Sequence, residues 1–289
     1  MTSIVVMNAK GGVGKSTLTM ALAETLTYHN NKSVLLIDAD GQMSLSLMMA
    51  SGQQLAERRS AEMTLVGYFA RSVLDDEHVD WPQYVISNAS DVEETNGLFL
   101  LPGELDLPLL EREIAAQGRI PQTRAAARTI LEEAKKYVDY VLVDCAPGIS
   151  VATETWLREC EFHLVPVKPD FLAVSGLEYL RRFRSRNPEM GFAEHLGVLV
   201  NMVDRFSSDD YAMESHLRAD DSLRCFQQTI PLAPHLQKAA LYSQDPRMYL
   251  TKYAGDVGAA LRSVTNEFQA KILGDKPPAL IPPPLRQTG

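Results

Sequence analysis

Short apolar runs alternate along the chain with longer stretches in which apolar residues return every three or four positions. The runs cover residues 3–7 (SIVVM), 34–37 (VLLI), 98–101 (LFLL), 140–143 (YVLV), 162–167 (FHLVPV), 196–203 (LGVLVNMV) and 225–230 (CFQQTI), and each has strand length. Helical spacing predicts helices over 18–26, 63–74, 121–137, 151–159, 170–186, 208–219, 235–242 and 256–273. Strands alternating with helices of this length require crossover connections. The expected fold class is therefore α/β, a mainly parallel twisted sheet with helices on both faces and ligands gathered at the strand C-termini. One domain is expected over 1–273, with the more polar and less regular residues 51–95 as a peripheral elaboration. There is no internal repeat. The final stretch GDKPPALIPPPLRQTG, 274–289, has too many prolines for helix or sheet and predicts an extended, flexible tail.

A chain of 289 residues, 45% hydrophobic and 22% charged, is large enough to bury a substantial core. No run reaches the roughly 20 apolar residues of a membrane span, and the N-terminus enters a strand without a basic segment or apolar leader, so a cytoplasmic protein is expected. Cys145, Cys160 and Cys225 lack CxxC spacing. That predicts reduced, buried thiols rather than a disulfide framework, a zinc site or an iron-sulfur site. The net charge of -9 argues against coating nucleic acid over the whole surface, and leaves room for a local basic patch.

The stretch NAKGGVGKST, 8–17, joins the first strand to the first helix. Gly11, Gly12 and Gly14, with Val13 among them, allow successive backbone N–H groups and the helix N-terminus to converge on phosphate. In such a loop Lys15 meets the β- and γ-phosphates, Ser16 places its hydroxyl on Mg²⁺, and Thr17 reaches the α-phosphate. The common pattern G-x-x-x-x-G-K-[ST] needs glycine where this chain has Ala9; the variant K-G-G-x-G-K-[ST] fits, with an extra lysine, Lys10. Two more strand ends carry carboxylates, Asp38 and Asp40 in LLIDADGQMS and Asp144 in YVLVDCAPG. A strand-end aspartate also serves as a plain turn or cap residue.

This two-lysine loop resembles the deviant Walker A motif of the ParA/MinD family of ATPases. The resemblance extends from residue 3 to about 272: DCAPG is similar to the family's second switch, LLIDADGQMS to its first (D-x-D-P-Q), and HLVPVKPDFLAVSGLEYL to the strand and helix that follow. It implies ATP and Mg²⁺ as cofactors and slow hydrolysis to ADP and phosphate. It also implies an ATP-sandwich homodimer in which Lys10 contacts the partner's nucleotide; the plain alternative is a solvent lysine in a monomer. By the same match Asp144 holds Mg²⁺ through a water, Asp38 lies close to the metal shell, Asp40 orients the attacking water, Asn201 contacts adenine, and Pro231 begins a loop near the base. Gly41 stands where the family has proline, and MSLSLMM replaces the usual G-N-A-T, so a more mobile switch is expected.

ParA-like members bind DNA without sequence preference, and LRRFRSRN supplies Arg181, Arg182, Arg184 and Arg186 for that role. Arginines at a helix C-terminus equally complement its dipole. Arg205, Arg218, Arg224 and Lys238 are further candidates. The C-terminus lacks the basic amphipathic stripe of membrane-holding MinD-like members, the cysteines lack an iron-protein context, and no helix-turn-helix precedes residue 3, as in the short ParA class. The expected protein is a cytoplasmic ATPase, nucleoid-associated when ATP-bound, that positions a plasmid, chromosome origin or protein assembly together with a ParB-like or cargo adaptor protein. Two alternatives remain: a metabolic P-loop ligase of the dethiobiotin synthetase type, and an ATP-binding scaffold that does not hydrolyse.

Overall fold

Seven of the chain's segments pair into one sheet in the computed structural model, which describes residues 1–274. In chain order they are β1 (Thr2–Val6), β2 (Val34–Ala39), β3 (Ile86–Ser87), β4 (Leu98–Leu101), β5 (Tyr140–Cys145), β6 (Phe162–Val167) and β7 (Glu194–Val200). Their spatial order is β3-β4-β2-β5-β1-β6-β7, and every pairing is parallel except that of β3 with β4. The helices are α1 (Lys15–Asn30), α2 (Ser44–Met49), α3 (Gly52–Ser60), α4 (Leu65–Phe69), α5 (Leu107–Ala116), α6 (Ile120–Ala134), α7 (Val151–Glu159), α8 (Phe171–Arg186), α9 (Ser208–Arg218), α10 (Pro234–Ala239), α11 (Tyr249–Lys252) and α12 (Asp256–Leu273).

Parallel strands are covered on both faces, so consecutive residues of one strand enter different cores. Val5, Leu35, Ile37, Val141, Val143, Val165 and Val198 join one core with α6 and α7. Ile4, Val6, Leu36, Leu142 and Leu164 join the other, against α1 and α12. This is why the strands read as continuous apolar runs. Among the described residues no helix is long and apolar enough to cross a membrane. Cys145 and Cys160 are buried, Cys225 is half-buried, and all three are free thiols.

Two departures from the sequence pattern have physical causes. Residues 225–230 are not a strand: Phe226 and Ile230 donate to Val198 and Val200 of β7, but the intervening N–H groups of Gln227 and Gln228 donate to the buried Glu267 carboxylate at 2.7 and 2.9 Å. Residues 51–95 are continuous with the core, because Leu65, Tyr68, Phe69, Trp81 and Tyr84 are buried in it and β3 adds the edge strand. The expected helix at 63–74 divides there into α4 and a wider turn at Ala70–Leu74. The polar helix α3 and the helix α5 were not anticipated, and the expected tail lies, apart from Gly274, outside the described residues.

Helix α1 is buried on every side from Leu18 to Thr27, and this includes Glu24. The Glu24 carboxylate accepts from Lys252 Nζ at 2.8 Å, from Ser90 Oγ at 2.7 Å and from Tyr253 Oη at 2.6 Å. Lys252 Nζ also donates to Asp91 at 2.8 Å, and Arg247 donates to the other Asp91 oxygen. The cluster anchors α11 to α1. Replacing Lys252→Met leaves two buried carboxylates without their shared cation and should lower the unfolding free energy by about 3–5 kcal/mol. The exposed Lys238→Met should change it by less than about 0.5 kcal/mol. Urea denaturation midpoints compare the two.

Candidate nucleotide site

Strand β5 lies between β1 and β2, and the register sets Asp144 beside both Val6 and Asp38. The loop after β1 therefore leaves the sheet next to two carboxylates. In that loop Gly12 and Gly14 have φ of 76° and 81°, the left-handed region that glycine enters without strain. Gly14 immediately precedes α1 and supplies no side-chain cap, so the first-turn N–H groups remain open to an anion. A Cβ on Gly14 would stand 2.6 Å from Asn201 Nδ2, which donates to the Val13 carbonyl at 2.8 Å. Gly11 has no such constraint; a Cβ there would meet Pro147 of the second switch at 3.6 Å.

Two residues that the sequence reading missed hold the loop's entrance. Asn8 donates to the Pro166 carbonyl at 2.9 Å and accepts from Lys10 N at 2.9 Å. Gly176 lets α8 close on that turn, since a Cβ would come within 2.4 Å of Asn8 Oδ1 and 3.2 Å of Lys10 N. Asn8 could have been found as the polar residue that opens the glycine run; Gly176 gave no local signal.

The two lysines face different surroundings. Lys15 is 6% exposed, and its Nζ lies 3.5 Å from the Lys10 carbonyl. Burial depresses its pKa, while Asp144 and Asp40 act in the opposite sense. The Lys10 side chain is exposed and, among the described residues, makes no hydrogen bond or ion pair. Ser16 and Thr17 open α1, half-buried, and the Ser16 side chain faces Asp144.

The carboxylates divide by role. Asp38 is fully buried, accepts from Ser46 N at 2.8 Å, Ser46 Oγ at 2.7 Å and Asp40 N at 3.2 Å, and so ties the switch to α2. Asp40 accepts from Gln42 N at 2.9 Å. Asp144 is fully buried, and among the described residues its two oxygens have no hydrogen-bond partner. Burial pushes Asp38 up to about 6; it also raises Asp144 well above the usual carboxylate range, with the Asp38 charge adding to the rise. Two open oxygens on a buried carboxylate beside a serine hydroxyl and a lysine suit a hard cation such as Mg²⁺.

Gly41 has a steric reason. A Cβ at 41 would stand 2.9 Å from Pro108 Cδ, so α5 occupies the space that a proline ring would need. On the base side, Pro231 bridges Val203, and Asn201 Oδ1 is buried and, among the described residues, unpartnered while its amide nitrogen holds the loop. The four arginines separate. Arg181 pairs with Asp220 at 2.9 Å and Glu178 at 3.5 Å. Arg184 turns inward to the Ala193 carbonyl at 3.2 Å and His163 Nε2 at 3.2 Å. Arg182 and Arg186 are exposed and, among the described residues, unpaired. Of the further cations, Arg205 and Arg224 pair with Asp256 and Glu194, and Arg218 is engaged by Glu214 and two carbonyls.

Because Asp38 and Asp144 have raised pKa values, the native state retains protons that the unfolded chain releases above about pH 4, and stability falls as pH rises through this window. Asp144→Asn should therefore raise the stability of the nucleotide-free chain at about pH 7.5 by about 1–3 kcal/mol and flatten its decline from about pH 5. Urea denaturation at the two pH values measures both effects.

The family model for the AAA domain, AAA_31, matches residues 1–189. The chromosome partitioning protein ParA of Caulobacter vibrioides is 27% identical over 257 residues, 87% of this chain and 88% of that protein. Among solved structures, a variant of McdA from Cyanothece in complex with ATP superposes with a TM-score of 0.73 at 20% identity, covering 97% of this chain and 98% of the other. Cobyrinic acid a,c-diamide synthase from Mycobacterium smegmatis, with a bound ATP analogue and magnesium, gives 0.73 at 21% identity, covering 97% and 100%. The structural likenesses establish the fold, and the family match together with the two-lysine loop establishes the kinship: this chain belongs to the AAA_31 family of AAA domains and is a ParA/MinD-type P-loop protein.

Proposed function

We propose that this chain is a Mg-ATP-dependent ATPase that dimerises on ATP, binds DNA without sequence preference in that state, and positions a cargo through an adaptor protein that stimulates hydrolysis. The observation that carries this reading is the contrast between the two lysines. Lys15 is buried against the carboxylates of its own site, whereas Lys10 is exposed and unpartnered on the same loop. One cation serves the protomer's own nucleotide, and the other is available to a second protomer. Between two triphosphates in a poorly hydrated interface, that added charge offsets their repulsion.

The open N–H groups of 11–17 and the α1 terminus would receive the phosphates, with Lys15 against the β- and γ-oxygens. Asp144 and Ser16 would hold Mg²⁺, and Asp38, already engaged by Ser46, contributes negative potential rather than a ligand atom. Held there, Mg²⁺ would supply positive charge to offset the negative charge of the phosphates. Asp40, anchored through Gln42 N, positions water. Asn201 Oδ1 offers an acceptor toward an adenine amino group, and Pro231 lies at the base side. Arg182 and Arg186 are the cations free for DNA phosphates, doubled across a dimer.

The Caulobacter relative is a chromosome partitioning protein, which supports the cargo-positioning reading. The ligase alternative has equal support from fold, since the mycobacterial synthase superposes as well as McdA. An exposed Lys10 favours the dimer, because a monomeric ligase has no use for it.

Lys10→Gln should abolish ATP-dependent dimerisation in light scattering while a fluorescent-nucleotide titration shows the monomer still binding; an unchanged dimer would favour the ligase. Asp40→Ala should eliminate phosphate release in a coupled assay, and a chain with no release to lose would be a scaffold. Arg182→Glu combined with Arg186→Glu should remove ATP-dependent retention on non-specific duplex, and the parent's retention should weaken by about tenfold or more on raising salt from about 50 to 200 mM.

A further inference from the structure

At the N-terminal ends of β6 and β7, on the side of the sheet away from the nucleotide loop, a cavity of about 610 Å³ opens beneath α8. Its lining is mixed: Arg184, His163 and His195 are polar or charged, and Leu180, Phe192 and Leu223 are apolar. Arg184 is half-buried, and among the described residues no carboxylate pairs with it. Its Nε is buried and has no hydrogen-bond partner among the described residues. Neighbouring Arg181, which also lines the cavity, is neutralised by Asp220 and Glu178, so Arg184 is the uncompensated charge. A cation withdrawn from water without a counter-ion is unfavourable unless something else supplies one.

The histidines carry the same deficit. His163, 1% exposed, must donate from Nδ1 to the Ala193 carbonyl at 3.0 Å, which leaves Nε2 an acceptor, and Arg184 Nη1 donates to it at 3.2 Å. His195 must donate from Nε2 to the Leu223 carbonyl at 3.0 Å, yet its Nδ1 lies 2.9 Å from that same His163 Nε2. With both rings neutral two lone pairs face each other; a second proton on His195 completes the contact and leaves His163 Nε2 an acceptor for Arg184. Burial is the main opposition to that second proton; Arg184 on α8, the loop residue Arg224 and, on α12, Lys271 add to it, and Glu194 is already engaged by Arg224. An anion in the cavity would favour it.

We propose that this cavity binds a small amphipathic anion, a carboxylate or phosphate head on an apolar body, with the head against Arg184 and His195 and the body against Leu180, Phe192 and Leu223. The site is independent of the nucleotide reading. Binding draws a proton onto His195, so proton uptake accompanies it.

Calorimetric titration of octanoate and of octyl phosphate into the full chain, in two buffers of different ionisation enthalpy, should give saturable binding with net proton uptake, and the tighter probe identifies the head group. The neutral 1-octanol should not bind. Arg184→Gln keeps amide donors near the Ala193 carbonyl but removes the charge, and should weaken the anion by about tenfold or more while ATP affinity is unchanged. Ser185→Trp, at the exposed mouth with Arg184 intact, should occlude the cavity and abolish binding without altering the thermal midpoint. No isotherm for either anion, equal binding of 1-octanol, or anion binding that survives both substitutions overturns the proposal. So does loss of duplex retention in Arg184→Gln without any anion isotherm, which would assign this cation to nucleic acid.

Discussion

The N-terminus of α1 begins at a left-handed glycine and has no side-chain cap, and much of the surrounding structure serves to keep that terminus open. A serine or aspartate at position 14 would satisfy the first-turn N–H groups and close the site to phosphate. Glycine leaves them unsatisfied but gives the loop no side chain by which to be held. Its neighbours hold it instead: Asn201 grips the Val13 carbonyl through the space a Cβ would fill, Asn8 ties the turn to β6, and α8 approaches closely because residue 176 is also glycine.

The same site works against stability. Parallel pairing of β2 and β5 aligns Asp38 with Asp144, and burial disfavours charge on both. Asp38 has its hydrogen bonds from Ser46 and the switch backbone, whereas Asp144 has an adjacent lysine and two unpartnered oxygens. A chain optimised for stability alone would not leave a buried carboxylate in that condition. Such strain is characteristic of functional sites and is offset elsewhere, here by two continuous cores and the buried Glu24–Lys252–Asp91 cluster.

The strands and the glycine loop were readable because both depend on local pattern: residues buried on two faces are continuously apolar, and a phosphate loop needs glycine at particular backbone positions. The stretch 225–230 misled for an equally local reason. Its composition is that of a strand, but Glu267, about 40 positions away, captures two of its N–H groups. In the arginine cluster, four cations within six positions read as one patch. Asp220 neutralises Arg181, and the Ala193 carbonyl and His163 turn Arg184 inward.

By itself the sequence determined the α/β class, the two-lysine loop and the strand-end carboxylates, since each is set by residues close together in the chain. Only the tertiary structure decided which carboxylate keeps free oxygens, why position 41 is glycine, and which lysine faces outward. Those outcomes depend on groups brought together from distant parts of the chain, Ser46 beneath Asp38, Pro108 against Gly41 and Asp144 beside Lys15, where burial and sterics, rather than residue type, assign the role.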